Sequence, residues 1–150
     1  MSATIFGPRL MLIGGGAIGR VPEALSKLGI GNPLVVADPF MVSSGMIDAL
    51  TGPLTQAGIS HGVFSDTVPD PTTTVVEAGV QVFKQGGYDG LIGFGGGSPM
   101  DTAKAINILA AHGGRMRDHK VPNGVDTAAV PLLCIPTTAG TGSEVTRGTV

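Results

Sequence analysis

The turn Gly95-Gly96-Gly97-Ser98 joins an apolar run, Tyr88 to Phe94, directly to a segment of helical character, Pro99 to His112. A strand that enters a helix through a tight glycine turn is half of a βαβ unit, and such units build parallel sheets. The rest of the chain repeats the alternation. The turn Gly14 to Gly19 precedes a helical pattern with Val21, Ala24, Leu25 and Leu28 on one face, stopped by Gly29 and Gly31. Pro33 to Asp38 is a short apolar run ending in an acid. A second helix is predicted from Phe40 to Ala57, with Met46, Ile47, Leu50 and Leu54 inward and a kink or early end at Gly52-Pro53. Ile59 to Phe64 reads as a strand, Ser65 to Pro71 as a loop, and Thr72 to Lys84 as a helix. Val130 to Ile135 reads as a buried strand that runs into Pro136-Thr137-Thr138-Ala139-Gly140-Thr141-Gly142-Ser143. The pattern predicts an α/β domain: a mostly parallel sheet flanked by helices. In open sheets of this kind ligands sit at the carboxyl ends of the strands, where these Gly- and Thr-rich turns fall.

Composition agrees. The 25 glycines and 11 prolines are scattered without a period, which excludes a collagen-like chain. Val, Ile, Leu and Ala dominate over aromatics, as suits strands covered on both faces. A net charge of −2 argues against nucleic acid or a membrane surface as partner. The short basic cluster Arg115, Arg117 and Lys120 reads as a solvated loop. Cys134, the single cysteine, lies in an apolar run and reads as a small hydrophobe, with no disulfide or thiolate cluster. The N-terminus lacks the basic and apolar regions of a signal peptide, and no apolar stretch approaches the ~20 residues of a membrane span. A reducing cytoplasm is the expected location.

Gly95-Gly96-Gly97-Ser98-Pro99-Met100-Asp101 is the strongest chemical motif. Glycines let a ligand approach the backbone. Ser98 is suited to cap the helix, Pro99 to its first position, and Asp101 to the third position of a capping box. The free amides and the helix dipole would hold an anion such as a pyrophosphate. A tight turn with a good cap and no ligand remains open, and capping is at least as good a role for Asp101 as ligand contact. Asp38, at a strand end, can accept hydrogen bonds from a ribose hydroxyl pair and repel a 2′-phosphate, or simply cap a helix. Thr137, Thr138, Thr141 and the adjacent glycines can bind phosphate, ribose or amide, or form a polar loop. Gly14-x-Gly16-x-x-Gly19 is a literal dinucleotide fingerprint with Asp38 about 20 residues on, but its preceding strand, Leu10 to Ile13, is short. That segment could also pair across a dimer. His61, His112 and His119 lack metal-ligand spacing. Neither a P-loop nor a G-x-S-x-G elbow occurs. Lys104 reads as a helix-surface lysine that could reach toward the site.

Gly95 to Ala105 and Ile135 to Thr146 together resemble the iron-containing alcohol dehydrogenase family, and the resemblance covers nearly the whole chain in order. It implies a Rossmann-like, dehydroquinate-synthase-like N-terminal domain over residues 1–150. It also implies a helical C-terminal domain, absent from this chain, that holds a divalent metal, iron or zinc, on one Asp and three His. It implies NAD as cofactor. Asp38 would hold the adenosine ribose, Gly95, Gly96, Gly97, Ser98 and Asp101 would line the pyrophosphate and nicotinamide ribose, and Thr137, Thr138 and Thr141 would complete the cleft. Gly14 to Gly19 becomes a structural turn. The turn Val68-Pro69-Asp70-Pro71 carries Asp70 where the family usually has Asn, which would reshape a cofactor contact. The implied activity is metal-assisted hydride transfer between an alcohol and its aldehyde or ketone, in a homo-oligomer, with no catalytic or metal-ligating residue in this chain. The chain is expected to be truncated, to end in a strand at Val150, and to be inactive alone. Rival readings are a lyase or glycerol dehydrogenase of the same fold, or a non-catalytic nucleotide-binding module.

Overall fold

The computed structural model describes residues 7–120 and 129–146; the expected strand at Val150 lies outside them. Four strands form one sheet: β1 (Pro33–Ala37), β2 (Gly62–Phe64), β3 (Gly90–Gly95) and β4 (Leu132–Pro136). Their spatial order is β2-β1-β3-β4, and every pairing is parallel. Among the described residues five α-helices accompany them: α1 (Val21–Leu28), α2 (Pro39–Ser43), α3 (Asp48–Gln56), α4 (Thr73–Gln85) and α5 (Gly97–His112). The predicted α/β architecture is therefore present.

Alternation along the strands divides the core in two. Val35, Ala37, Ile92 and Phe94 face one side and pack with Leu25, Leu50 and Leu54 of α1 and α3. Leu34, Val36 and Leu91 face the other and pack with Val76, Val80, Ala103 and Ile106 of α4 and α5. Both faces of β1 and β3 are covered, so these strands read as unbroken apolar runs. Gly93 sits under α5, and a Cβ there would stand 2.9 Å from the Met100 Cα. Helix and strand thus approach backbone to backbone at the start of α5.

Helix ends follow local chemistry. The amide of Ile30 donates to the Leu25 carbonyl and that of Gly29 to Ser26, with Gly29 at φ 72°. The amides of Ile59 and Gly58 bond in the same way to Leu54 and Thr55, with Gly58 at φ 69°. Both are Schellman stops, in which a left-handed glycine lets the last carbonyls find donors.

Several sequence-based boundaries shift. Phe40 to Ala57 is two helices rather than one. The Ser44 hydroxyl donates to the Phe40 carbonyl at 2.6 Å, Gly45 turns left-handed at φ 76°, and the helical phase restarts. Met46 falls in that turn and is 54% exposed instead of inward, while Ile47, Leu50 and Leu54 are buried as expected. α3 continues past Pro53 to Gln56. Ile59 serves the α3 stop, so the β2 edge strand shrinks to Gly62–Phe64. Leu10 to Ile13 is not a strand, and Ile13 is 86% exposed. β4 is only half-buried, because among the described residues it pairs along one edge.

Candidate functional site

From β1 the chain passes to β2 on one side, and β3 then pairs on β1's other side. The connection reverses direction between β1 and β3, and a crevice opens at the carboxyl ends of two such strands. Asp38 follows β1, Gly96 follows β3, and Thr137 follows β4. Three of the sequence motifs therefore meet on one rim.

Asp38 caps α2: its Oδ1 accepts from the Met41 amide at 3.0 Å. Its Oδ2 is turned toward Gly95, where a Cβ would come within 3.0 Å, and accepts no hydrogen bond among the described residues. Both roles considered for Asp38 are thus geometrically available at once. Gly95 itself has φ 142°, and its missing Cβ would also meet the Pro99 ring at 2.6 Å. At this position neither the backbone conformation nor the space admits a side chain.

α5 begins two residues earlier than the capping motif predicted. Gly96 is its N-cap and no side chain caps it, so Ser98 and Pro99 are the second and third helical residues. Ser98 is not a cap, and its carbonyl accepts from the Thr102 hydroxyl at 2.8 Å. The amides of Gly97 and Ser98 consequently keep no side-chain partner, which is the arrangement that favours an anion at a helix start. Asp101 is not part of a capping box either. It is buried and pairs with Lys104, whose Nζ lies 3.2 Å from Asp101 Oδ1. Lys104 is 6% exposed, contrary to its reading as a surface residue. Pro99 to Asn107 are all buried, because α5 is enclosed by α4, the sheet and the segment after β4. The Asp101–Lys104 spacing was legible in sequence, but the enclosure that makes it a buried pair was not.

The segment after β4 folds back over the start of α5. The Thr137 amide donates to the Gly95 carbonyl at 2.8 Å, which prolongs the β3–β4 ladder. A Cβ on Gly96 would lie 3.3 Å from Thr138 Oγ1, and one on Gly97 would lie 3.3 Å from both Thr141 Cγ2 and Ser143 Oγ. Gly96 and Gly97 are thus in close reach of Thr138, Thr141 and Ser143. Ser143, part of the Thr- and Gly-rich run but not singled out in it, is buried, and its hydroxyl is 3.5 Å from Asp101 Oδ2. Thr137, Thr138 and Thr141 remain exposed. Thr67, also missed, is buried and donates to the Ala37 carbonyl at 3.1 Å, pinning the loop after β2 to the tip of β1.

Asp70 stands apart. It is exposed on the loop after β2 and has φ 53°, the one left-handed non-glycine among the described residues. Asn and Asp tolerate that conformation better than other side chains. Gly14 to Gly19 lacks the preceding strand that a dinucleotide fingerprint needs, and leads into a one-turn 3-10 helix, Ala17–Arg20.

Asp38, Gly96, Thr137 and Thr138 open on a broad cleft of about 2250 Å³ that continues along β4 past Cys134. Burial pushes the Cys134 thiol above its ordinary range. The native chain is therefore expected to react with iodoacetamide at pH 8 roughly tenfold more slowly than the urea-unfolded chain, since the thiolate is the nucleophile. Mass spectrometry of labelled Cys134 checks this. No cluster of His, Cys, Asp and Glu suited to a metal ion occurs among the described residues. Among them, no helix is long and apolar enough to cross a membrane.

Residues 8–150 match the family model for iron-containing alcohol dehydrogenases. The NAD-dependent methanol dehydrogenase of Bacillus methanolicus is 43% identical over 141 residues, which is 94% of this chain and 37% of that protein. The lactaldehyde reductase of Escherichia coli K12 is 39% identical over 136 residues, 89% of this chain and 35% of the relative. Among solved structures, a 1,3-propanediol oxidoreductase superposes with a TM-score of 0.91 at 33% identity, over 98% of this chain and 38% of the other. The sulfoacetaldehyde reductase of Bifidobacterium kashiwanohense, solved with NAD+, gives 0.82 at 29% identity, over 97% and 39%. This chain spans little more than a third of the length of these relatives.

Proposed function

The chain belongs to the iron-containing alcohol dehydrogenase family, and from that premise we propose that it is the NAD-binding domain of an enzyme interconverting an alcohol and its aldehyde or ketone. The supporting observation is the pair of features at the β1/β3 reversal: a carboxylate with one free oxygen, and the uncapped start of α5. These suit the two ends of a dinucleotide's adenosine diphosphate portion. Asp38 Oδ2 accepts from the adenosine ribose hydroxyls while Oδ1 keeps its cap. Gly95, Gly96, Gly97 and Ser98 present backbone without obstruction, so the Gly97 and Ser98 amides reach the pyrophosphate. Thr137, Thr138 and Thr141 close the nicotinamide side. Asp101 supports this wall from within. Asp70, exposed on the loop after β2, carries a carboxylate in place of the family's usual carboxamide, and in this reading the cofactor's approach brings it to that loop.

When bound, NAD supplies the hydride acceptor, and a divalent metal, iron or zinc, supplies a Lewis acid that favours the alkoxide form of the alcohol. The described residues lack a ligand set for that metal. We place it on a helical domain beyond residue 150, so the present chain alone orients the cofactor and turns over no alcohol. The whole protein acts on small alcohols and aldehydes, works in the cytoplasm and forms a homo-oligomer in this reading.

Titrating the chain with NAD, NADP and ADP-ribose, read by thermal shift, tests the proposal. NAD and ADP-ribose are expected to stabilise it, and NADP to do so less. Asp38→Asn keeps an oxygen for the α2 cap but removes the negative charge. It is expected to raise NADP affinity relative to NAD by about 10- to 100-fold, the effect of relieving one like-charge contact. A wild-type chain indifferent to both NAD and ADP-ribose would overturn the proposal.

A further inference from the structure

We propose that Lys104 is a positioning residue whose ammonium group ties α5 to the Gly142–Thr146 segment and so fixes the threonine loop over the start of that helix. The proposal rests on the reading of that loop as one wall of the cofactor cleft. Lys104 Nζ donates to Asp101 Oδ1 at 3.2 Å on its own helix and to Thr146 Oγ1 at 2.8 Å, 42 residues away. Thr146 Oγ1 in turn donates to the Ser143 carbonyl at 3.4 Å, and Ser143 Oγ reaches Asp101 Oδ2. Three donors on one ammonium make such a branch point possible. A hydrophobic residue of the same length would fill the space but join nothing.

Among the described residues the loop's other hydrogen bonds are mostly its own. At its beginning the Thr137 amide bonds to Gly95. Beyond that point its amides turn inward: Ser143 N donates to Thr141 Oγ1, and Val145 N and Thr146 N donate to the Gly142 carbonyl. Thr138, Ala139, Gly140 and Thr141 are exposed, and Gly140 and Gly142 have φ 114° and 68°. A segment with that backbone freedom and that exposure needs an anchor at its far end to hold Thr138 and Thr141 against Gly96 and Gly97. The buried Lys104–Asp101 pair is that anchor. Asp101 then contributes through Lys104 and Ser143 and not by touching a ligand.

Amide hydrogen exchange on the chain without nucleotide tests the clamp. Thr146 is exposed, so Thr146→Val removes the hydroxyl without disturbing the core. The amides of Ser143, Val145 and Thr146 should exchange about tenfold faster in Thr146→Val, with the sheet and the middle of α5 unchanged. Thr146→Ser should restore the wild-type rates. NAD should bind Thr146→Val about three- to tenfold more weakly, while AMP, which lacks the nicotinamide half, should bind equally well. Unchanged exchange in Thr146→Val overturns the clamp, as does an even acceleration across the whole chain. So does faster exchange with unaltered NAD affinity. If wild type binds no NAD, the cofactor reading fails, whereas the exchange result still decides the clamp.

Discussion

Gly95→Ala is expected to lose about 2–6 kcal/mol of stability, a large share of the ~5–15 kcal/mol that holds a typical domain folded. Two costs combine. A non-glycine residue held at φ 142° is strained, and its Cβ would drive into the Pro99 ring and the Asp38 carboxylate. Pro99 cannot easily retreat, because it is buried in the first turn of α5 with Met100 packed against β3. Gly52→Ala is the control. It lies inside α3 with open space where the methyl would go, and is expected to be neutral or stabilising by up to ~1 kcal/mol. Denaturant midpoints for the two variants separate a site-specific constraint from a general dependence on glycine. Equal midpoints would mean that the strand tip tolerates a side chain.

The second large effect is expected from Asp101→Ala, at about 3–5 kcal/mol, because it strands the Lys104 ammonium in the interior without its nearest carboxylate. The pair does not need to be strongly stabilising for this to hold. Bringing both charges out of water is costly, and the loss on removing one partner mostly reflects the charge left behind. Asp101→Ala combined with Lys104→Met should therefore cost less than the sum of the single changes. A double-mutant cycle by urea unfolding gives the coupling directly. Strict additivity would indicate that the two groups are independently solvated. By contrast the exposed pairs Arg20–Glu23 and Lys27–Glu23 are solvent-screened and are expected to matter little.

What the sequence disclosed and what it withheld divide along physical lines. The strands were legible because β1 and β3 are covered on both faces, which leaves unbroken apolar runs such as Leu34 to Ala37. The helix stops at Gly29 and Gly58 are local interactions, readable within six residues. The break inside Phe40 to Ala57 was obscured because serines bonding back to Phe40 leave no distinctive pattern. Asp38, Gly95 to Gly97 and Thr137 to Thr141 could be named in advance because turns at strand ends have few ordinary uses for so much glycine and hydroxyl. The burial of Lys104 could not. It depends on the Ser143–Thr146 segment crossing 42 residues of chain to cover the helix, and no local window contains that contact. Asp70 remains the candidate tied least to the others, exposed and without a hydrogen bond to the rim.

The near-contact of the Met100 backbone with β3, made possible by Gly93, bears on recognition as well as on packing. With no side chain between them, the opening turn of α5 rests directly on the sheet, and such packing is expected to hold its amides in one orientation with or without an anion. Much of the ordering that a floppier phosphate loop would undergo during association has already happened when the chain folds. Such preorganisation leaves less entropy to lose on association and lets a few backbone donors confer appreciable affinity.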